Sequence, residues 1–155
     1  MLGKVIAAAA LACALTPANA ELLTYKDLPL AVAKTIAETA IADCKARGYA
    51  VSVVGDTLVA MRGDDSSPHT MENARRKAYT ARSFRQPTAA YAKKFADNDP
   101  VVRHQVTLPN VIAIDGGLPI KVGNEILGGV GASGSPGVDE PCVQAGLDKV
   151  ADQLK

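Results

Sequence analysis

The sequence predicts an α+β fold with a central antiparallel sheet flanked by helices. Three observations carry that prediction. The β-like segments come as a pair and a triplet instead of alternating one by one with helices, which argues against a parallel, doubly wound sheet. Short glycine-bearing turns join the members of each group, leaving no room for a crossover helix. Longer stretches before, between and after these groups carry helical signals, with apolar residues spaced at three and four in the first and last.

Taken in order, the first helix has Asp27 as a candidate cap and Pro29 in its first turn. Val32, Ile36, Ala40 and Cys44 then form one apolar stripe, and Gly48 closes the helix. "YAVSVV" and "LVAM" flank Gly55-Asp56-Thr57 and read as a β-hairpin. "RGDDSSPH" (62–69) is a polar loop, and a helix follows from Thr70 to Arg85, stopped by Pro87. Thr88 is a candidate cap for a short helix through Phe95, and residues 96–110 read as an irregular connection. "VIAI", "LPIKV" and "EILGGVGA" make a meander around Gly116-Gly117 and Gly123-Asn124. A last helix, capped by Asp139, presents Val143, Gly146, Leu147, Val150, Ala151 and Leu154 inward. The expected order is α-β-β-α-α-β-β-β-α, with five strands.

The 155 residues suffice for one ordinary domain. Hydrophobic residues make up 48% and charged residues 21%, as in water-soluble globular proteins. With no Trp, two Phe and four Tyr, the core must rest on Ala, Val, Ile and Leu. A formal charge of +1 gives no electrostatic case for nucleic acid or acidic membranes.

Residues 1–20, "MLGKVIAAAALACALTPANA", read as a secretory signal peptide: Lys4, an apolar run from Val5 to Leu15, and an A-x-A site at Ala18-Asn19-Ala20. The run is too short to span a bilayer. Lipidation at Cys13 would need a better lipobox than Ala10-Leu11-Ala12. The expected mature chain, residues 21–155, is then a single exported domain with no membrane insertion.

"GGVGASG" (128–134) matches G-x-G-x-x-G through Gly129, Gly131 and Gly134. A dinucleotide site needs a βαβ unit with an acid at the end of a second parallel strand. Only 21 residues follow Gly134, enough for the last helix and nothing more. Asp152 has the right offset but falls inside that helix. Nucleotide binding is therefore excluded, and the glycines are expected to serve a bulge or a close backbone approach, turning the chain into its last helix.

Two stretches resemble the GlcG/HbpS family of haem-binding-like proteins. One contains Lys77-Ala78-Tyr79-Thr80-Ala81 and ends in Phe84 to Thr88; the other runs through Gly116-Gly117-Leu118-Pro119-Ile120 to Asp139 and Cys142 to Gly146. Several motifs in order over the mature chain make the resemblance specific. The first hairpin departs from it, being shorter than the usual V-V-D-x-x-G turn. The resemblance implies a profilin-like fold with a five-stranded sheet and assembly into homo-oligomers. It also implies haem as cofactor; a corrinoid is the lesser alternative, because a related domain accompanies some corrinoid adenosyltransferases.

Haem iron takes an imidazole nitrogen as its commonest axial donor, and the histidines are His69 and His104. His69 stands between the acidic loop and a helix N-terminus beside the best-matched motif, so it is the preferred ligand. His104 lies in the irregular segment. On the middle helix Arg75, Arg76 and Arg82 are candidates for propionate contacts, set against a simple solvated face with a Glu72–Arg76 pair. Ala74, Ala78 and Ala81 read as a close-packing seam.

Cys44 ends the first helical stripe and Cys142 begins the last helix. The two would meet where those helices pack on the sheet, closing a loop of about 100 residues and contributing roughly 4–5 kcal/mol in the chain-entropy model. Two separately buried thiols are the alternative. Asp64 and Asp65 lack the alternating register of a calcium loop, and no hydrolase, thiol-redox or Walker motif is present.

The expected function is thus an exported, non-catalytic haem- or tetrapyrrole-binding protein that sequesters, carries or senses its ligand. The alternatives are an oligomeric accessory protein binding a small carboxylate or a partner without haem, and a weak haem-degrading or redox enzyme.

Overall fold

A computed structural model describes residues 26–55 and 58–155; the expected signal peptide at 1–20 lies outside the described residues. Four strands form one sheet in the order β2-β1-β4-β3, every neighbouring pair antiparallel. They are β1 (Ser52–Gly55), β2 (Val59–Arg62), β3 (Gly117–Val122) and β4 (Glu125–Ser133). Helix α1 (Leu30–Ala46) and helix α5 (Asp139–Lys149) cover one face, and α2 (His69–Phe84) covers the other. Two shorter helices, α3 (Thr88–Ala96) and α4 (Pro100–Gln105), follow α2.

Alternation along β4 sets the two layers. Val130 and Ala132 point into the core beneath α1 and α5, while Gly129 and Gly131 face α2. A Cβ on Gly129 would sit 2.2 Å from the Ala78 carbonyl oxygen, and one on Gly131 would sit 2.3 Å from that of Ala74. The helix backbone therefore lies directly on the strand, and buried Ala74, Ala78 and Ala81 form its side of the contact. Val32, Ile36, Ala40 and Cys44 are all buried, as their spacing predicts. Between α1 and α5 the same device recurs, since a Cβ on Gly146 would meet the Ile36 carbonyl oxygen at 2.4 Å.

Four expectations need correction. "VIAI" is not a fifth strand: Ile112 N–H donates to Thr80 Oγ1 at 3.0 Å and the Val111 carbonyl accepts from Arg76 Nη2 at 2.6 Å. Side chains of α2 thus satisfy backbone groups that a neighbouring strand would otherwise pair. Residues 100–105 are helical, because Asp99 Oδ1 accepts from Val101 and Val102 N–H at 2.9 and 3.0 Å and Pro100 takes the first turn. The last helix ends at Lys149, followed by a 3₁₀ turn over Ala151–Gln153 with Ala151 exposed. Asp27, Thr88 and Asp139 do not cap as expected: the cap positions are Pro29, Pro87 and Val138. Asp27 instead accepts from Leu28 N–H, and Thr88 from Gly117 N–H.

Candidate functional site

A polar cleft of about 370 Å³ opens where the end of α1, the 63–68 loop, the start of α2 and the β4–α5 turn converge; Tyr49, His69, Asn73 and Ile114 line it. Its aromatic wall is set by how α1 stops. Gly48 adopts φ +84°, its N–H donates to the Lys45 carbonyl at 3.0 Å, and Tyr49 N–H reaches back to Cys44 at 2.9 Å. This 6→1 and 5→2 pair is a Schellman closure, which the glycine permits. Tyr49 leaves it 41% exposed.

The opposite wall carries His69, the first residue of α2. Buried hydroxyls tie that helix end to the sheet. Thr70 Oγ1 donates to the Ser67 carbonyl at 2.7 Å, leaving Ser52 Oγ as donor to Thr70 across another 2.7 Å. Ser66 Oγ lies 3.2 Å from Ser52 and donates to the Gly63 carbonyl at 2.9 Å. The loop is thereby fixed on β1, and the His69 side chain is exposed with no hydrogen bond among the described residues.

At the floor, Lys77 Nζ donates to Asp139 Oδ2 and to the Ala132 carbonyl, both at 2.9 Å. Both side chains of the ion pair are only 1% exposed. Asp139 also accepts from Ser135 N–H at 2.9 Å, which fixes the turn into α5. A buried charge survives only when paired and hydrogen-bonded, as both are here.

A second cleft of about 550 Å³ adjoins the first and shares Gly48, Tyr49, Ala50 and Asp65 with it. Its apolar part comprises Ile41, Val51 and Met61, and Lys45 and Arg62 line it as cations. Lys45 contacts Asp64 at 4.0 Å with both side chains well exposed, and the Arg62 side chain has no ion pair or hydrogen bond among the described residues.

The candidate arginines of α2 stand elsewhere, and none lines either cleft. Arg75 pairs with Glu72 at 2.9 and 2.7 Å and donates to Asn110 Oδ1. The ion pair of Glu72 is therefore at i,i+3, in place of the expected Glu72–Arg76. The hydrogen bonds from Arg75 hold the Glu72 carboxyl below the usual range, and the same contact raises Arg75. Arg76 is committed to Val111, and Arg82 lies exposed beside Gly129. His104 sits exposed on α4 and lines neither cleft.

Cys44 and Cys142 form a disulfide between α1 and α5, with Cα atoms 5.4 Å apart. Among the described residues, no group of three or more His, Cys, Asp or Glu is placed to hold a metal ion, and no helix is long and apolar enough to cross a membrane. Sequence reasoning missed the Lys77–Asp139 pair, although Lys77 sits within the alanine seam; a lysine flanked by Ala74, Ala78 and Ala81 on a helix must itself face inward. It also missed Tyr49, Lys45 and Arg62, which become neighbours only through the fold.

Comparison with known proteins adds relatives to this geometry. The family model described as "Haem degrading protein HbpS-like" matches residues 28–148. The crystal structure of HbpS is 30% identical, with a TM-score of 0.76 over 88% of this chain and 99% of that one. The Klebsiella pneumoniae protein ORFY is 26% identical, with a TM-score of 0.72 over 84% and 98%. A complex of PduOC with haem, 20% identical, shares the fold at a TM-score of 0.69 over 79% and 94%. No curated protein matches.

Proposed function

Because the chain belongs to the HbpS-like family, we propose that it is an exported, non-catalytic haem-binding protein that sequesters, carries or senses its ligand through the cleft beside His69. The observation that carries this reading is the state of His69: an exposed imidazole at a cleft, with its nitrogens uncommitted among the described residues. A haem bound here would be held through its iron by an imidazole nitrogen of His69, and would supply the iron and the conjugated ring. Tyr49 and Ile114, 41% and 39% exposed, give the cleft apolar surface against which a flat ligand loses water. The hydroxyl cluster of Ser52, Ser66 and Thr70 holds the helix end, so the imidazole is presented from a fixed base.

A haem-binding relative of the same fold supports the choice of ligand. The leader-like residues 1–20 and the Cys44–Cys142 bridge support export, since disulfides persist in oxidising compartments. Assembly into homo-oligomers belongs to the same reading. Titration of the purified protein with hemin tests it: a Soret shift is expected, with His69→Ala weakening binding about tenfold or more, the scale of one lost ligand contact of 1.4 kcal/mol. No shift with the wild-type protein overturns the proposal.

A further inference from the structure

We infer that Arg62 and Lys45 form the carboxylate clamp of this groove, taking the propionates of a tetrapyrrole whose apolar body lies over Met61 and Ile41 beside Tyr49. The inference rests on the tetrapyrrole reading above and moves the acid-binding role away from Arg75, Arg76 and Arg82. None of those three lines either cleft, and the first two are committed to Glu72, Asn110 and the Val111 carbonyl.

The second cleft is lined differently. Its base is apolar: Val51 is fully buried, and Ile41 and Met61 are half-buried residues packed on the main core. Their remaining surface faces the cleft, where a flat apolar ligand would remove it from water. The two cations border this surface. The Arg62 side chain has no ion pair or hydrogen bond among the described residues, and its guanidinium is built for two-pronged carboxylate recognition. Lys45 has only the Asp64 contact at 4.0 Å, with side chains 77% and 93% exposed. Such a pair contributes little in water and yields readily to a better-placed carboxylate. Asp64 and Asp65 offset the two cations in number. Asp64 stands almost fully in solvent and Asp65 is likewise exposed, and beyond the 4.0 Å Lys45–Asp64 contact neither is held against the cations among the described residues. Tyr49 belongs to both clefts, so its ring borders the cleft of His69 on one side and the clamp on the other.

Metal-free protoporphyrin IX separates the clamp from iron ligation. Its dimethyl ester has the same ring without the negative charges. Quenching of porphyrin fluorescence should show the wild type binding the free acid at least tenfold tighter than the ester. The double variant Arg62→Gln with Lys45→Gln should lose that preference while binding the ester unchanged, and the charge-retaining Lys45→Arg should keep it. Both positions are exposed, and an unchanged melting temperature checks that the variants fold. Equal affinity for acid and ester in the wild type, or a preference that survives the double variant, overturns the clamp. A hemin Soret shift indifferent to His69→Ala, together with a carboxylate-dependent porphyrin preference, removes the histidine reading and leaves the clamp standing. A His69-dependent Soret shift with no acid preference does the reverse.

Discussion

Lys77 Nζ lies 2.9 Å from Asp139 Oδ2, with both side chains 1% exposed, and this contact joins the helix on one face of the sheet to the helix on the other. The Ala132 carbonyl at the end of β4 accepts a further hydrogen bond from the same ammonium. Removing one partner leaves the other charge buried and uncompensated, which costs about 3–5 kcal/mol. Urea unfolding of Lys77→Met should show a loss of that size. The double variant Lys77→Met with Asp139→Leu should recover part of it, because no lone charge is left inside. A single variant within 1 kcal/mol of wild type would show that the pair is not desolvated.

Gly129 and Gly131 of β4 are required by contact, not by conformation. Gly129→Ala and Gly131→Ala would each push a methyl carbon to within 2.3 Å of a carbonyl oxygen of α2, whose helix hydrogen bonding leaves it no freedom to withdraw. Losses of about 1–3 kcal/mol or more are expected for each, as in overpacked cores. Gly55→Ala serves as the comparison: its Cβ would meet nothing within 4 Å among the described residues, and a change within about 0.5 kcal/mol is expected. Chemical denaturation of the three variants side by side checks the contrast.

Glu140, in the first turn of α5, is half-buried, and its Oε2 atom has no hydrogen-bond partner among the described residues. Burial pushes its carboxyl above the usual range and the negative charge of Asp115 adds to this, while backbone N–H groups of Ala89 and Gly116 oppose it. A folded-state value above the unfolded one means that the folded protein binds the proton more tightly. The contribution of Glu140 to stability is thus greatest at low pH and declines as pH rises from the ordinary carboxylate range through the raised value. Glu140→Gln cannot titrate, so its stability relative to wild type should increase between about pH 4 and pH 7. Denaturation midpoints of the two proteins at both pH values measure the difference, and a constant gap would contradict the assignment.

Local chemistry made much of this fold readable before any coordinates. The stripe from Val32 to Cys44 and the stop at Gly48 depend only on neighbours within α1, and both are found where the pattern puts them. "VIAI" misled because its apolar residues are indeed buried at Val111 and Ile112, but burial alone does not reveal whether a strand or a helix side chain takes the backbone hydrogen bonds. The helix after Asp99 carried a cap and a proline in plain view, yet its six residues show too little periodicity to stand out. His69 was legible as a loop histidine at a helix start. Tyr49, Lys45 and Arg62 were not, because α1 and β2 approach one another only after the hairpin folds back.

The Cys44–Cys142 link lies one turn before Tyr49, at the end of α1 that also carries Lys45. It fastens that end covalently to α5, itself held from below through Asp139. One bank of the groove is therefore a fixed abutment, braced by a covalent bond and by a buried charge on the same helix. The facing bank, the 63–68 loop and the first turn of α2, is tied to β1 by the hydroxyls of Ser52, Ser66 and Thr70, and Lys77 on the same helix shares the buried charge. Both banks are thus braced before a guest arrives, and the groove between them acts as the template against which its shape is gauged.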